Sequence, residues 1–190
     1  MSDVARLFLA VWPPDDVVEL LSALHRKDQR GVRFVPPENW HVTLRFLGNA
    51  SRSEVIDSLV GVALRPARAQ LGPAVDVLAE RALVVPVTGL DALAGTVTRH
   101  TKHLGRPPRK RFAGHITVAR VTARAAMPRA LGTLVSAELD VDEVALVQSR
   151  LDPRGARYET IHTWPLREPV PPAERSHCAI SSNVSGRRSH

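Results

Sequence analysis

A short phrase that alternates polar and apolar residues occurs twice in the chain and constrains its fold more than any other feature. Residues 41–44 read His-Val-Thr-Leu, and residues 115–118 read His-Ile-Thr-Val. In an extended strand, successive side chains point to opposite faces. Each phrase therefore places an imidazole and a hydroxyl on one face and two aliphatic side chains on the other. Two such strands predict two half-sites that face each other across a cleft.

A single His-x-Thr on a strand more often belongs to a solvated sheet face than to a catalytic site. The recurrence of the same alternation favours a functional pair instead. The other histidines have no comparable setting; they are His25, His100, His103, His162, His177 and His190.

Length and charge limit the class of protein. With 190 residues the chain is long enough for one domain with two lobes and a substantial core. Its net charge of +7 comes mainly from arginine, whose planar fork of donors matches phosphate oxygens. A phosphate-bearing partner is one interpretation, and a genome-wide bias toward arginine is the other. For the basic segment 102–111, a solvated connector is favoured over an RNA contact.

Cysteine usage and hydropathy indicate where such a chain works. Cys178 is the single cysteine, which excludes an internal disulfide and a thiolate metal cluster. No run approaches the roughly 20 apolar residues of a membrane helix, and the N-terminus does not resemble a signal peptide. We therefore expect a cytoplasmic protein without membrane contact. A monomer is also expected.

Periodicity and turn residues predict the secondary structure. Strands are predicted at 4–12, 32–35, 40–47, 73–79, 82–87, 114–121, 141–151 and 157–164. Helices are predicted at 14–29, from Ser51 or Ser53 to near Pro66, and at 89–103, whereas 124–137 is either a short helix or a loop. Residues 168–190 are rich in Pro and then in Ser and Arg, so we expect a disordered tail behind a domain of residues 1–167.

With their flanking residues, the two motifs resemble the 2H phosphoesterase superfamily. Four phrases in the same order resemble, more narrowly, the RNA 2′,3′-cyclic phosphodiesterase family, also called 2′-5′ RNA ligase-like; they are Arg6–Pro14, Asn39–Gly48, His115–Arg120 and Tyr158–Leu166. The resemblance covers about residues 4–166. It implies an α+β, bilobal and pseudo-symmetric fold, with two antiparallel sheets flanked by helices around a central cleft and one His-x-Thr per lobe.

The resemblance also implies roles for individual residues. His41 is the expected proton donor and His115 the proton acceptor, while Thr43, Thr117 and Arg120 are expected to bind the phosphate. Strict alternation turns Arg120 away from His115, so a strand end or a bulge is predicted between them.

Two further positions carry expectations from the family. Phe8 matches an aromatic residue near the base or ribose, with a core position as the alternative. The family usually has proline before its second histidine; Gly114 stands here and predicts a looser backbone without loss of a catalytic group.

The implied reaction is metal-independent hydrolysis of RNA 2′,3′-cyclic phosphate ends to 2′-phosphates. Two imidazoles supply a base and an acid near neutral pH, and no metal or cofactor is expected. A 5′-hydroxyl in place of water would form a 2′-5′ linkage. The alternatives are another 2H activity, on 2′-5′ oligonucleotides or cyclic nucleotides, and a non-catalytic module that binds RNA phosphate.

Overall fold

The computed structural model describes residues 3–79, 81–107, 111–152 and 155–167. These residues form ten strands, three α-helices and a 3-10 turn at Pro37–Asn39. The strands are β1 Val4–Val11, β2 Val32–Phe34, β3 Val42–Ser51, β4 Ala67–Leu71, β5 Asp76–Leu78, β6 Ala82–Thr88, β7 His115–Val121, β8 Ala137–Val141, β9 Glu143–Asp152 and β10 Gly155–Pro165. The helices are α1 Asp15–Ser22, α2 Arg52–Leu59 and α3 Asp91–His100. The predicted tail, 168–190, lies outside the described residues.

The strands form two antiparallel groups that meet at the two motif strands. The first lobe has the order β10-β9-β1-β3, and the second continues as β7-β6-β4-β8, with β2 beside β7 and β5 beside β6. In the described residues, the ladder between β3 and β7 has one Cα pair, Val42 opposite Ile116. The predicted α+β class with two antiparallel halves is confirmed.

Apolar side chains of both lobes form one continuous core. Leu9 of β1, Leu83 of β6 and Leu146 of β9 are fully buried in it. Helices α2 and α3 pack against β3, and α3 contributes Leu93 and Val97, which are one helical turn apart. No helix in the described part of the chain is long and apolar enough to cross a membrane.

Burial along the motif strands follows the predicted alternation. Val42 and Ile116 are 2% and 1% exposed and anchor their strands in the core. His41, Thr43, His115 and Thr117 are all partly exposed. The apolar face of each phrase thus supports the sheet and leaves the polar face open to the cleft.

A β-bulge follows each motif threonine and changes which residues face the cleft. On β3, Thr43 lies opposite Ala10 and Arg45 opposite Leu9, so Leu44 is the extra residue. On β7, Val118 is the extra residue between the partners of Val84 and Leu83. Because a bulge shifts the alternation by one residue, the third residue after each threonine returns to the cleft face. The bulge predicted between His115 and Arg120 is confirmed.

The first two helices are shorter than predicted. The helix predicted at 14–29 ends at Ser22. Leu24 is still buried in the core, but residues 25–29 are all polar and have no apolar face to bury. Arg26 instead lies over the rings of Phe34 and Trp40, at 5.8 and 5.1 Å, and its Nη2 donates to the Val35 carbonyl at 2.8 Å.

Helix α2 begins as predicted but ends early. The Ser51 hydroxyl accepts the backbone N–H of Glu54 at 3.2 Å, which confirms the predicted N-cap. The helix was predicted to reach Pro66 but ends at Leu59, because Val60 is extended and Gly61 has a φ of 72°.

Strands β4 and β8 were not predicted. They pair with each other at the edge of the second lobe, from Ala67 opposite Val141 to Leu71 opposite Ala137. Short strands of this kind are stabilised by their pairing partner more than by local propensity. Among the described residues, 124–136 contain turns and no helix, so the loop alternative for that segment was the better one.

Candidate active site

The two motifs come together where the lobes join. Val42 and Ile116 are paired in antiparallel register, so continuing the register places His41 opposite Thr117 and Thr43 opposite His115. Their side chains share the face that looks away from the core. All four residues line one cavity with a volume of about 540 Å³. The predicted pair of half-sites is therefore present as a single site.

Both imidazoles are fixed through the same kind of backbone contact. Nδ1 of His41 lies 2.8 Å from the carbonyl oxygen of Asn39, and Nδ1 of His115 lies 2.8 Å from that of Ala113. A carbonyl oxygen only accepts, so Nδ1 carries the proton and donates it in both contacts. Nε2 of each ring is left for exchange of protons with a ligand.

The surroundings of the two histidines differ. The His41 ring packs against Phe8, Trp12 and Tyr158, with centroids 4.8, 5.6 and 5.1 Å away. In the described portion of the chain, no aromatic ring packs against His115. His41 is therefore the enclosed member of the pair.

Enclosure changes the acidity of His41. Burial lowers the pKa of His41 below its ordinary value, because the charged imidazolium loses solvation. The hydrogen bond to the Asn39 carbonyl raises the pKa in part, and the positive charges of His115 and Arg120 lower it further. The free site therefore favours neutral His41.

The structure brings every predicted site residue to this one cavity. Besides the histidines and threonines, Arg120 and Phe8 line it. Arg120 is exposed, which suits a group that meets a ligand. Phe8 is only 4% exposed and packs against His41 and Tyr158. It is therefore both a buried aromatic residue and part of the cavity wall.

Several cavity residues with polar, charged or aromatic side chains were not predicted as site residues; they are Arg6, Arg33, Asn39, Phe46, Ser149, Asp152 and Tyr158. Phe46 follows Thr43 by three residues, as Arg120 follows Thr117, and this shared spacing is a signal that was available in the sequence. The Arg6 guanidinium lies 4.9 Å from the centre of the Phe46 ring. Tyr158 reaches the site only through the pairing of β10 with β9 and of β9 with β1, for which no local pattern exists.

Gly114 does not loosen the backbone, which contradicts the prediction made from it. Its carbonyl accepts the N–H of Val87 at 2.8 Å. A Cβ at this position would lie 2.3 Å from the Val87 carbonyl oxygen. Glycine is required here by the close approach of β6, and this packing fixes the backbone just before His115.

No metal cluster accompanies the histidines in the described ranges 3–79, 81–107, 111–152 and 155–167. There, no group of three or more His, Cys, Asp or Glu side chains is arranged to hold an ion. Most polar groups of the cavity are imidazoles, hydroxyls and guanidinium groups, which suit an anionic ligand. The Asn39 amide and one carboxylate, that of Asp152, also line it.

Comparison with known proteins places the chain among phosphoesterases. Residues 11–71 match the family described as LigT like Phosphoesterase. An RNA 2′,3′-cyclic phosphodiesterase of Thermus thermophilus is 33% identical over 185 residues, covering 85% of this chain and 90% of that protein. One of Archaeoglobus fulgidus is 29% identical over 174 residues, covering 84% and 99%.

A solved structure agrees with this placement. The crystal structure of Escherichia coli LigT complexed with NADP+ has a TM-score of 0.68 and 26% identity, covering 88% of this chain and all of that one. Sequence similarity, fold and paired motifs lead to the same conclusion: the chain belongs to the LigT-like family of 2H phosphoesterases, together with the RNA 2′,3′-cyclic phosphodiesterases.

Proposed function

We propose that this protein hydrolyses 2′,3′-cyclic phosphate ends of RNA to 2′-phosphate ends, using His41 and His115 as the acid–base pair. The observation that carries the proposal is the meeting of the two motifs at Val42 and Ile116, with Nε2 of both imidazoles left free. The relatives named RNA 2′,3′-cyclic phosphodiesterase support the substrate class. The complex of Escherichia coli LigT with NADP+ supports a ligand that contains a nucleotide.

The proposed reaction needs two proton transfers on opposite sides of phosphorus. Nε2 of His115 accepts a proton from water as the water oxygen forms its bond to phosphorus. The bond between phosphorus and the 3′ oxygen breaks, and Nε2–H of His41 donates a proton to that oxygen. The product keeps the phosphate on the 2′ oxygen, and the protons balance.

The remaining cavity groups hold the phosphate during this step. The hydroxyls of Thr43 and Thr117 and the guanidinium of Arg120 donate to the non-bridging oxygens. Donors already in place stabilise the charge that develops there without reorganising. Phe8 offers only a small exposed part of its ring to a base or ribose, and its larger contact is with the ring of His41.

The lowered pKa of His41 is compatible with the role of proton donor. A low pKa makes the imidazolium a strong acid once it is protonated. A phosphate anion in the cavity favours the protonated form, because opposite charges attract. Substrate therefore brings the acid into its charged state, whereas the free site keeps it neutral.

We expect purified protein to convert an RNA oligonucleotide with a 2′,3′-cyclic phosphate end entirely to a 2′-phosphate, in the presence of excess EDTA. Protonation of the 3′ oxygen by His41 requires this product, and no step requires a metal. Phosphorus NMR and resistance to a 3′-phosphate-specific phosphatase identify the isomer. A 3′-phosphate product would reverse the two histidine roles, and loss of turnover on chelation would contradict the acid–base mechanism.

The same assay separates the other candidate reactions. Turnover of 2′-5′ oligonucleotides or cyclic nucleotides in preference to RNA ends would identify a different 2H activity. A 2′-5′ product formed with added 5′-hydroxyl RNA would reveal ligation. Binding without turnover of any of these would favour the module that only binds RNA phosphate.

We expect the pH dependence of kcat/KM to be bell-shaped, because one histidine must be protonated and the other neutral. The acidic limb of such a profile reports the lower of the two macroscopic pKa values, whichever histidine it belongs to. Because the pKa of His41 is lowered, we expect this limb below the ordinary imidazole value of about 6.5. Arg120→Gln removes one of the charges that lower this pKa, so the acidic limb should move to higher pH as kcat/KM falls. Both limbs are properties of the pair. An acidic limb that stays in place, or moves to lower pH, would contradict the electrostatic contact between Arg120 and His41.

A further inference from the structure

Two arginines stand directly opposite each other at one end of the catalytic cavity. Arg33 of β2 pairs with Arg120 of β7 in antiparallel register, and both line the cavity. Like charges in this position destabilise a strand pair. Among the described residues, the ion pairs involve neither arginine. The arrangement is one that an anion between or beside them would stabilise.

Arg33 also lines a second cavity. This cavity, of about 630 Å³, adjoins the first and shares Arg33, Asn39 and Tyr158 with it. The Arg33 guanidinium reaches from the second lobe to the β9–β10 hairpin of the first, where a Cβ on Gly155 would lie 2.3 Å from its Nη2. Glycine at that position makes room for the guanidinium at the junction of the two cavities.

The second cavity is of mixed charge. Its acidic members are Glu38, which lines this cavity alone, and Asp152, which also lines the first cavity and lies 3.6 Å from Nε of Arg157. Phe34 and Tyr158 add aromatic surface. Carboxylates repel phosphate but accept hydrogen bonds from ribose hydroxyls and base amines, and aromatic rings stack on bases. A nucleoside fits these groups better than another phosphate does.

We propose that Arg33 binds the phosphate that links the terminal nucleotide to the one before it, and that the second cavity takes the preceding nucleoside. This inference rests on the proposed function, because it requires the cyclic phosphate to occupy the histidine cavity. Arg120 then holds the reacting phosphate and Arg33 the next one along the strand. The preferred substrate is accordingly the end of an RNA strand, and a cyclic mononucleotide lacks the group that Arg33 recognises.

Three substrates separate the parts of this proposal. Adenosine 2′,3′-cyclic phosphate has only the reacting phosphate, its 5′-phosphorylated form adds the second phosphate, and the ApA dinucleotide with a 2′,3′-cyclic end adds the preceding nucleoside. Arg33→Gln should lower kcat/KM about 10-fold or more for the two larger substrates, since bonds between charged groups are among the strongest. For adenosine 2′,3′-cyclic phosphate the loss should stay within about 3-fold, because this substrate has no second phosphate for Arg33 to bind and only a weak, solvent-screened charge effect is lost.

Arg68→Gln is the matched control. Arg68 lies on β4, with Nε 3.4 Å from Glu138 and 3.4 Å from Asp140, and its loss changes the net charge equally. It should affect the three substrates alike and weakly. Arg33→Lys keeps the charge but not the planar fork, so it should retain part of the preference for the larger substrates.

The outcomes distinguish this inference from the proposed function. Failure of the unaltered protein to turn over any of the three substrates would overturn the function, and the inference with it. Turnover of adenosine 2′,3′-cyclic phosphate with equal losses on all three in Arg33→Gln, or with no loss, would overturn the inference alone.

Discussion

His41→Ala and His115→Ala are each expected to lower kcat/KM for a cyclic-phosphate RNA end at least about 10²-fold, the low end for a positioned proton-transfer group. Both imidazoles are held through Nδ1 by a backbone carbonyl, so each alanine substitution removes an Nε2 that is left for proton exchange with the ligand. Steady-state kinetics on both variants, with melting temperatures to show that they fold, provide the measurement.

His25→Ala is the control for this pair, because His25 is exposed and lies outside the cavity. Its activity should equal that of the unaltered protein.

The double variant His41→Ala/His115→Ala should be far less impaired than the product of the single effects, since the effects of residues that act as a unit are not additive. Thr43→Ala and Thr117→Ala should be milder, as each removes one donor to the phosphate. Near-normal turnover by either single histidine variant would mean that the repeated motif has a structural role and not a catalytic one.

Gly114→Ala is expected to reduce kcat by as much as about 10²-fold, the scale of a displacement near 1 Å in a catalytic group. A Cβ at Gly114 would lie 2.3 Å from the Val87 carbonyl oxygen, which is backbone and cannot rotate away. The strand must therefore shift beside His115, whose imidazole is anchored to Ala113 on the other side of Gly114. Kinetics and thermal unfolding of the variant measure the effect.

Gly95→Ala is the matched glycine control. Gly95 lies inside α3, and a Cβ there meets nothing within 4 Å. Activity should be unchanged, and the free energy of unfolding should rise by about 0.5–1 kcal/mol, because alanine is the better helix former. If Gly114→Ala were as harmless as Gly95→Ala, the close packing of β6 would have no role in placing His115.

The centre of the site was predictable because its signal is local. The alternation of polar and apolar residues over 41–44 predicts which side chains face the core, and residues 115–118 repeat this alternation. Even the bulge that redirects Arg120 followed from a conflict between alternation and the expected role. The recurrence of the phrase predicted that the two halves form a pair, and the family resemblance supplied the role of each residue.

The periphery of the site was less predictable because it depends on pairing between distant segments. Arg33 reaches the cavity through β2, a strand of three residues that exists beside β7. The local sequence predicted a looser backbone at Gly114, whereas the close approach of the Val87 carbonyl oxygen requires glycine there. The early end of α1 has the same origin, since Arg26 finds its partners on Phe34 and Trp40 rather than within a helix.

The position of β1 has a consequence for how the chain matures. One neighbour of β1 is β3, but the other is β9, which begins only at Glu143. During synthesis that edge of β1 stays unpaired until most of the chain has been made, and unpaired edges invite association between chains. Pairings between such distant segments also form slowly. Tyr158, which closes the wall around His41, is delivered still later by β10. We therefore expect a nascent chain that contains both histidines but not yet β9 and β10 to be inactive.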